Sequence, residues 1–156
     1  VDSYQAAFAL AELQISHLDA KPLALIRGVG VRHALILDGE RSLGTVMIVD
    51  EALPRRVRFQ LLDSPLLLAA EEKISRLTVT LHQVLRSYHQ GGTETSLHPA
   101  VPVYLTGALA HEPLLTGALQ HALGLRVAPL APPFELPADL PVAHYVANFG
   151  LALKQS

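Results

Sequence analysis

The chain has no cysteine, no tryptophan, one methionine and only 5% aromatic residues among its 156. Without cysteine there is no disulfide framework, no thiolate nucleophile and no cysteine-based zinc or iron–sulfur site; a reducing compartment fits that absence. Few rings leave little to stack on bases or sugars. Charge of one sign is also scarce: 12 basic residues stand against 14 acidic ones, a net charge of −2. This balance argues against a dedicated nucleic-acid binder, which usually carries a basic excess to meet phosphates. Long hydrophobic runs are missing too. The run Pro65–Ala70 falls far short of the roughly 20 residues of a membrane span, and Val1-Asp2-Ser3-Tyr4 has no basic stretch that would open a signal peptide. The chain begins without an initiator methionine, which fits a fragment of a longer protein.

Catalytic signatures are equally thin. The eight histidines, at 17, 33, 82, 89, 98, 111, 121 and 144, include no i, i+4 pair on a predicted helix and no HExxH, so no metal ligand is assigned. No G-x-S-x-G occurs. Gly28-Val29-Gly30 lacks a third glycine and follows no strand, so it is not a dinucleotide fingerprint. No catalytic residue is assigned.

What is present is aliphatic. Half of the residues are hydrophobic and 30 are leucine. A length near 150 fits one domain that buries roughly two-thirds of its unfolded surface. Ser3 is placed to cap a helix over 4–17 whose apolar residues cover most of its circumference, which predicts packing on more than one side. Lys21-Pro22 breaks it; 22–27 reads as one further turn and 28–30 as a linker. Three strands follow, over 33–38, 43–49 and 56–62. Asp38-Gly39 opens the first hairpin turn and 50–55, with Pro54, forms the second. In the third strand Val57, Phe59 and Leu61 alternate with Arg56, Arg58 and Gln60, which predicts one buried and one wet face. Arg55, Arg56 and Arg58, beside Phe59, read as the charged face of an edge strand, with contact to phosphate or an acidic partner as the alternative.

Ser64-Pro65 predicts the start of a long helix to about His89, ended by Gly91-Gly92. Ile74, Leu77, Leu81, Val84 or Leu85, and Tyr88 give it one apolar stripe. A polar loop precedes a buried strand over 101–105, closed by Thr106-Gly107. Pro113 starts a helix that Gly124 ends. A short strand over 126–128, a loop over 129–141 holding five of the 11 prolines, and a last helix over 142–154 complete the chain.

The order β-β-β-α-β-α-β-α after one leading helix implies an α/β fold with a mixed sheet and helices on its faces. Residues 1–30 are read as leading helix and linker, and 31–156 as the domain. Ribonuclease-H-like nucleases and each half of the actin-like ATPases share this order. A nuclease needs carboxylates that converge on two metals. Asp38, Glu71 and Glu72 are the candidates, but they read first as a hairpin residue and a solvated helix face, which leaves a metal-dependent ribonuclease-H-like nuclease as the least favoured reading. Actin-like halves instead bind phosphate in the hairpin after the first strand, through backbone N–H groups and a hydroxyl, and set a later glycine turn against the adenosine. Asp38, Gly39, Ser42 and Thr45 occupy the first place; Gly107 and Ala108 occupy the second.

Beyond this order, the sequence resembles the PilM-like family of actin-fold proteins in type IV pilus assembly. Leu105-Thr106-Gly107-Ala108-Leu109-Ala110 matches its strand and Ser/Thr-Gly-Gly-x-Ala turn, with Ala108 for the second glycine. Gly117-Ala118-Leu119 approximates its short Gly-Leu helix. Ala147-Asn148-Phe149-Gly150-Leu151-Ala152-Leu153 matches its terminal helix, and Leu23-Ala24-Leu25-Ile26-Arg27 its Ala-Leu-x-Arg turn. Type II secretion platform proteins and FtsA share parts of the pattern. The resemblance implies the C-terminal half of a scaffold that is cytoplasmic and peripheral to the inner membrane, with a PilN-like membrane protein as partner. That partner's groove belongs largely to the other half, so no residue here is assigned to it. Homo-oligomer formation is expected through apolar surface left by the absent half, with the leading helix and Leu66-Leu67-Leu68 as the sites. The nucleotide motifs are eroded: Glu40 stands where a glycine would face phosphate, and Ala108 adds a Cβ beside the nucleoside. No cofactor is therefore expected for this chain alone, with ATP and Mg²⁺ belonging to the two-lobed protein. A nucleotide-binding regulatory half is the alternative.

Overall fold

A computed structural model describes residues 2–14, 18–62, 69–90, 101–131 and 135–154. In chain order the elements are α1 (Asp2–Leu10), α2 (Lys21–Val29), β1 (Ala34–Gly39), β2 (Leu43–Asp50), β3 (Leu53–Leu61), α3 (Ala70–Gln90), β4 (Val103–Thr106), a 3₁₀ turn (Ala108–His111), α4 (Pro113–Leu123) and α5 (Val142–Ala152). The strands form one mixed sheet in the order β3-β2-β1-β4. β1 runs antiparallel to β2 and parallel to β4, and β2 antiparallel to β3.

Both faces of the central strands are covered, which is why β1 and β2 read as nearly unbroken apolar runs. On one face Leu35, Leu37, Val46 and Ile48 pack with Ile74, Leu77, Leu81, Val84 and Tyr88 of α3 and with Leu115 and Leu119 of α4. On the other, Ala34, Ile36, Met47 and Val49 pack with Leu25, Ile26 and Val29 of α2 and Val146 of α5. The result is a three-layer α/β/α half-domain, and the predicted stripe of α3 is its main wall.

Two contacts set the helix spacing. A Cβ at Gly44 would lie 2.3 Å from Leu77 Cδ2, so the bare strand lets α3 settle close. α2 and α5 cross backbone against backbone. A Cβ at Gly28 would meet the Val146 carbonyl oxygen at 2.1 Å, and one at Gly150 the Ala24 carbonyl oxygen at 1.6 Å.

Several local expectations give way to tertiary context. The leading helix stops at Leu10, and every described side chain from 3 to 14 is exposed rather than packed on several sides; residues 15–17 lie outside the described set. The expected linker over 28–30 is helix through Val29, with Gly30 as a left-handed cap at φ 72°. Gly39 remains in β1, opposite Gly44, so the hairpin turns over 40–42. The second turn is the two residues Glu51 and Ala52, both at positive φ (54° and 60°), between the paired Asp50 and Leu53. Such a turn needs left-handed residues at both positions, and neither Glu nor Ala advertises one. Val57, Phe59 and Leu61 are 37%, 58% and 69% exposed, because β3 is the sheet edge and α2 reaches only part of its apolar side. The fifth strand shrinks to one parallel bridge, Val127 with Val103; Pro129 lacks the N–H that would continue a ladder. α3 is described from Ala70, so the predicted start at Ser64-Pro65, the stretch Leu66-Leu67-Leu68 and the loop after Gly91 lie outside the described residues.

Candidate functional site

The candidate residues gather at the carboxyl ends of the parallel strands β1 and β4, where open α/β sheets place their sites. β1 delivers Asp38 on the α2–α5 face, with Thr45 of β2 and Thr106 of β4 as its lateral neighbours. All three are buried, Asp38 to 2% exposure. Thr106 Oγ1 donates to Asp38 Oδ1 at 2.8 Å. Lys21 Nζ, from the first residue of α2, lies 2.6 Å from Asp38 Oδ2 and 2.8 Å from Glu40 Oε1. Burial alone would lower the Lys21 pKa, but the hydrogen bonds and charges of Asp38 and Glu40 outweigh it and hold the ammonium above the ordinary lysine value.

The two glycine turns meet behind this cluster. Gly107 sits at φ 79°, and a Cβ there would lie 2.6 Å from the Gly39 carbonyl oxygen. A Cβ at Gly39 would lie 2.8 Å from Leu109 Cβ. These glycines are required by backbone approach within the fold itself, whatever else they serve. Ala108 is exposed at the start of the 3₁₀ turn, and Ser42 is exposed at the hairpin tip.

One backbone N–H in each turn has an internal partner. Glu40 N–H donates to the Leu43 carbonyl at 2.9 Å, and Gly107 N–H to the Ala143 carbonyl at 2.8 Å. The tip is tied down by Lys73 Nζ on the Arg41 carbonyl at 2.7 Å and by Leu62 N–H on the Ser42 carbonyl at 2.8 Å. A cavity of about 260 Å³ lies beside Lys21, lined by Leu18, Asp19, Ala24, Asn148 and Leu151; neither glycine turn contributes to it. With Lys21, Asp38 and Glu40 all ionised, the cluster carries a net charge of −1. The cluster thus offers a phosphate no net positive charge of its own.

Lys21 carries no sequence signal. It precedes Pro22 at a helix start, 17 positions before Asp38, and only the docking of α2 on the sheet brings the two together. Asp38, Glu71 and Glu72 are not assembled: Asp38 faces α2, α3 lies on the opposite face, and Glu72 accepts from Arg76 at 2.8 Å. A different group, His33, Asp50 and Glu51, does converge among the described residues, at the far end of the sheet. Its carboxylates are already paired with Arg32 and Arg55, so it is a salt-bridge network that clamps the strained Glu51-Ala52 turn.

With this geometry in place, comparison with known proteins defines the class. No family model and no curated sequence matches. Solved structures do. EutJ, the ethanolamine utilization protein from Carboxydothermus hydrogenoformans, aligns with TM-score 0.61 over 97% of this chain and 60% of its own, at 14% identity. The PilM–PilN type IV pilus biogenesis complex aligns with TM-score 0.61 over 92% of this chain and 54% of that one, at 21% identity. AlfA, in the filament from Bacillus subtilis plasmid pLS32, aligns with TM-score 0.58 over 86% and 43%, at 16% identity. The chain has the actin-like ATPase fold, as a half-domain. It spans 60% or less of the length of these three structures.

Proposed function

We propose that this chain is the C-terminal half of a PilM-like scaffold in a type IV pilus or related secretion platform, working through protein partners and not by nucleotide turnover. The observation that carries the reading is the closed state of the phosphate hairpin. Asp38 is neutralised from within by Lys21 and hydrogen-bonded by Thr106, while Glu40 stands beside them. A phosphate brought within about 5 Å of that net negative charge meets a repulsion of about 1–3 kcal/mol. The half-length span supports the same reading, because an actin-like cleft takes its second phosphate hairpin from another lobe.

In this reading the protein is cytoplasmic, peripheral to the inner membrane through a PilN-like partner, and free of a cofactor of its own. Asp38, Gly39, Ser42, Thr45, Gly107 and Ala108 are the vestige of a nucleotide site. Isothermal titration of ATP with Mg²⁺ into the purified chain is the test, with no binding tighter than about 100 μM expected, which is roughly −5.5 kcal/mol. Tighter binding, abolished by substitution of Gly107 or Asp38, would restore the alternative of a nucleotide-binding regulatory half.

A further inference from the structure

β3 combines three features that point outward. It is the terminal strand of the sheet, so one of its two hydrogen-bonding edges has no strand beside it among the described residues. Its α2-side face bears Val57, Phe59 and Leu61, in register with Met47, Thr45 and Leu43, and the three are 37%, 58% and 69% exposed. The opposite face bears Arg56 and Arg58, which are exposed and take no ion pair among the described residues, unlike Arg55, whose Nε lies 3.3 Å from Asp50 Oδ2. Two of the usual protections of an edge, a proline and a register irregularity, fall at Pro54 and Ile48/Val49; between 56 and 61 only the charges of Arg56 and Arg58 guard it. From Arg56 to Leu61 the strand is regular; Gln60 is partly buried against α3, with its Oε1 3.1 Å from Thr80 Oγ1, while Val57, Phe59 and Leu61 on the other face stay open.

We infer that β3 is a docking edge for an extended segment of another protein in which acidic and apolar residues alternate. Added strands take affinity from main-chain hydrogen bonds and specificity from alternate side chains. Here the two faces specify both halves of that alternation: carboxylates beside Arg56 and Arg58, aliphatic side chains beside Val57, Phe59 and Leu61. A second copy of β3 is disfavoured as the occupant, since edge-to-edge pairing would bring arginines of like charge together on one face. The inference does not depend on the state of the Lys21–Asp38 cluster.

The test uses the whole chain and two labelled peptides, one of alternating glutamate and valine and one of alternating lysine and valine. Fluorescence anisotropy at low salt should show the glutamate peptide binding about tenfold more tightly, with the difference shrinking as salt screens the charges. Amide hydrogen exchange should slow along 56–61. Arg56→Glu with Arg58→Glu should invert the peptide preference, and Phe59→Thr should weaken both peptides. The wild-type comparison of the two peptides needs no variant to fold. Equal binding of both peptides, absence of binding, or binding indifferent to the charge reversal would overturn the inference. So would sedimentation showing a dimer that Phe59→Thr dissolves, which would give the edge to a second copy.

Discussion

The crossing of α2 and α5 makes one substitution unusually informative. In Gly150→Ala the added methyl would lie 1.6 Å from the Ala24 carbonyl oxygen, 2.5 Å from its carbon and 2.8 Å from Gly28 N. All three atoms are backbone, so no rotamer change relieves the overlap. Reaching the 3.4 Å of ordinary contact requires the helices to part by about 1.8 Å. A gap of even 0.5–1 Å forfeits about a quarter to a half of each dispersion contact, and Leu25, Ile26, Val29 and Val146 all depend on this interface. Overpacking costs about 1–3 kcal/mol when side chains can adjust and more when backbone must move; we take about 3–5 kcal/mol here. Replacing a helical glycine by alanine gives back up to about 1 kcal/mol. The net loss is then about 2–4 kcal/mol, a fall in Tm of about 5–15 °C for a domain of this size. Gly117, inside α4, has no atom within 4 Å of its would-be Cβ. Gly117→Ala therefore keeps only the propensity gain and should raise Tm by about 2–4 °C. Thermal melts of the pair, followed by circular dichroism, give opposite signs for one chemical change. A Gly150→Ala variant melting within about 2 °C of the parent would refute the close crossing, and a Gly117→Ala variant that falls would refute the open space at Gly117.

Lys21→Met should cost about 1–2 kcal/mol in urea unfolding at neutral pH, below the about 3–5 kcal/mol of a fully buried pair because Lys21 is half-exposed, and adding Asp38→Asn should recover part of it. The folded Lys21 pKa is raised, so its stabilisation is complete below the ordinary lysine value of 10.5 and fades as pH climbs through the raised one; parent and variant should converge in urea melts carried into that alkaline range, and a constant gap would contradict the pairing. Leu81→Asp places a charge at a position with 0% exposure, a cost of several kcal/mol that should leave the chain unfolded by circular dichroism. Removal of residues 1–12 should move Tm by less than about 2 °C, since every described side chain there is exposed; a larger fall would mean that α1 packs on the domain. The same truncation should remove any self-association seen by sedimentation if α1 is the homo-oligomer surface.

The sequence by itself determined whatever depends on neighbours a few residues away. The spacing of Ile74, Leu77, Leu81, Val84 and Tyr88 marks the buried side of α3, since residues three and four apart share a helix face whatever lies opposite. Pro113 and Gly124 bound α4 because their backbone constraints act on the spot. The unbroken apolar runs of β1 and β2 declare strands covered on both faces, and the arginines of β3 declare an edge. The order of elements then leaves few topologies, which is why the actin-like half was legible along with the turns holding Asp38 and Gly107. Tertiary structure alone decided what crosses between elements. The alternation in β3 says that one face is apolar but not whether a helix covers it. The apolar residues of α1 look the same in a buried helix as in the exposed one observed. Gly28 reads locally as part of a linker and Gly150 as one position of the terminal helix, and they become a helix crossing only when α2 and α5 meet. Lys21 acquires its role only once α2 docks. Its ammonium then comes to rest against Asp38 and closes the hairpin from inside the fold, and no pattern within α2 or β1 encodes a pair that two separate backbones bring together.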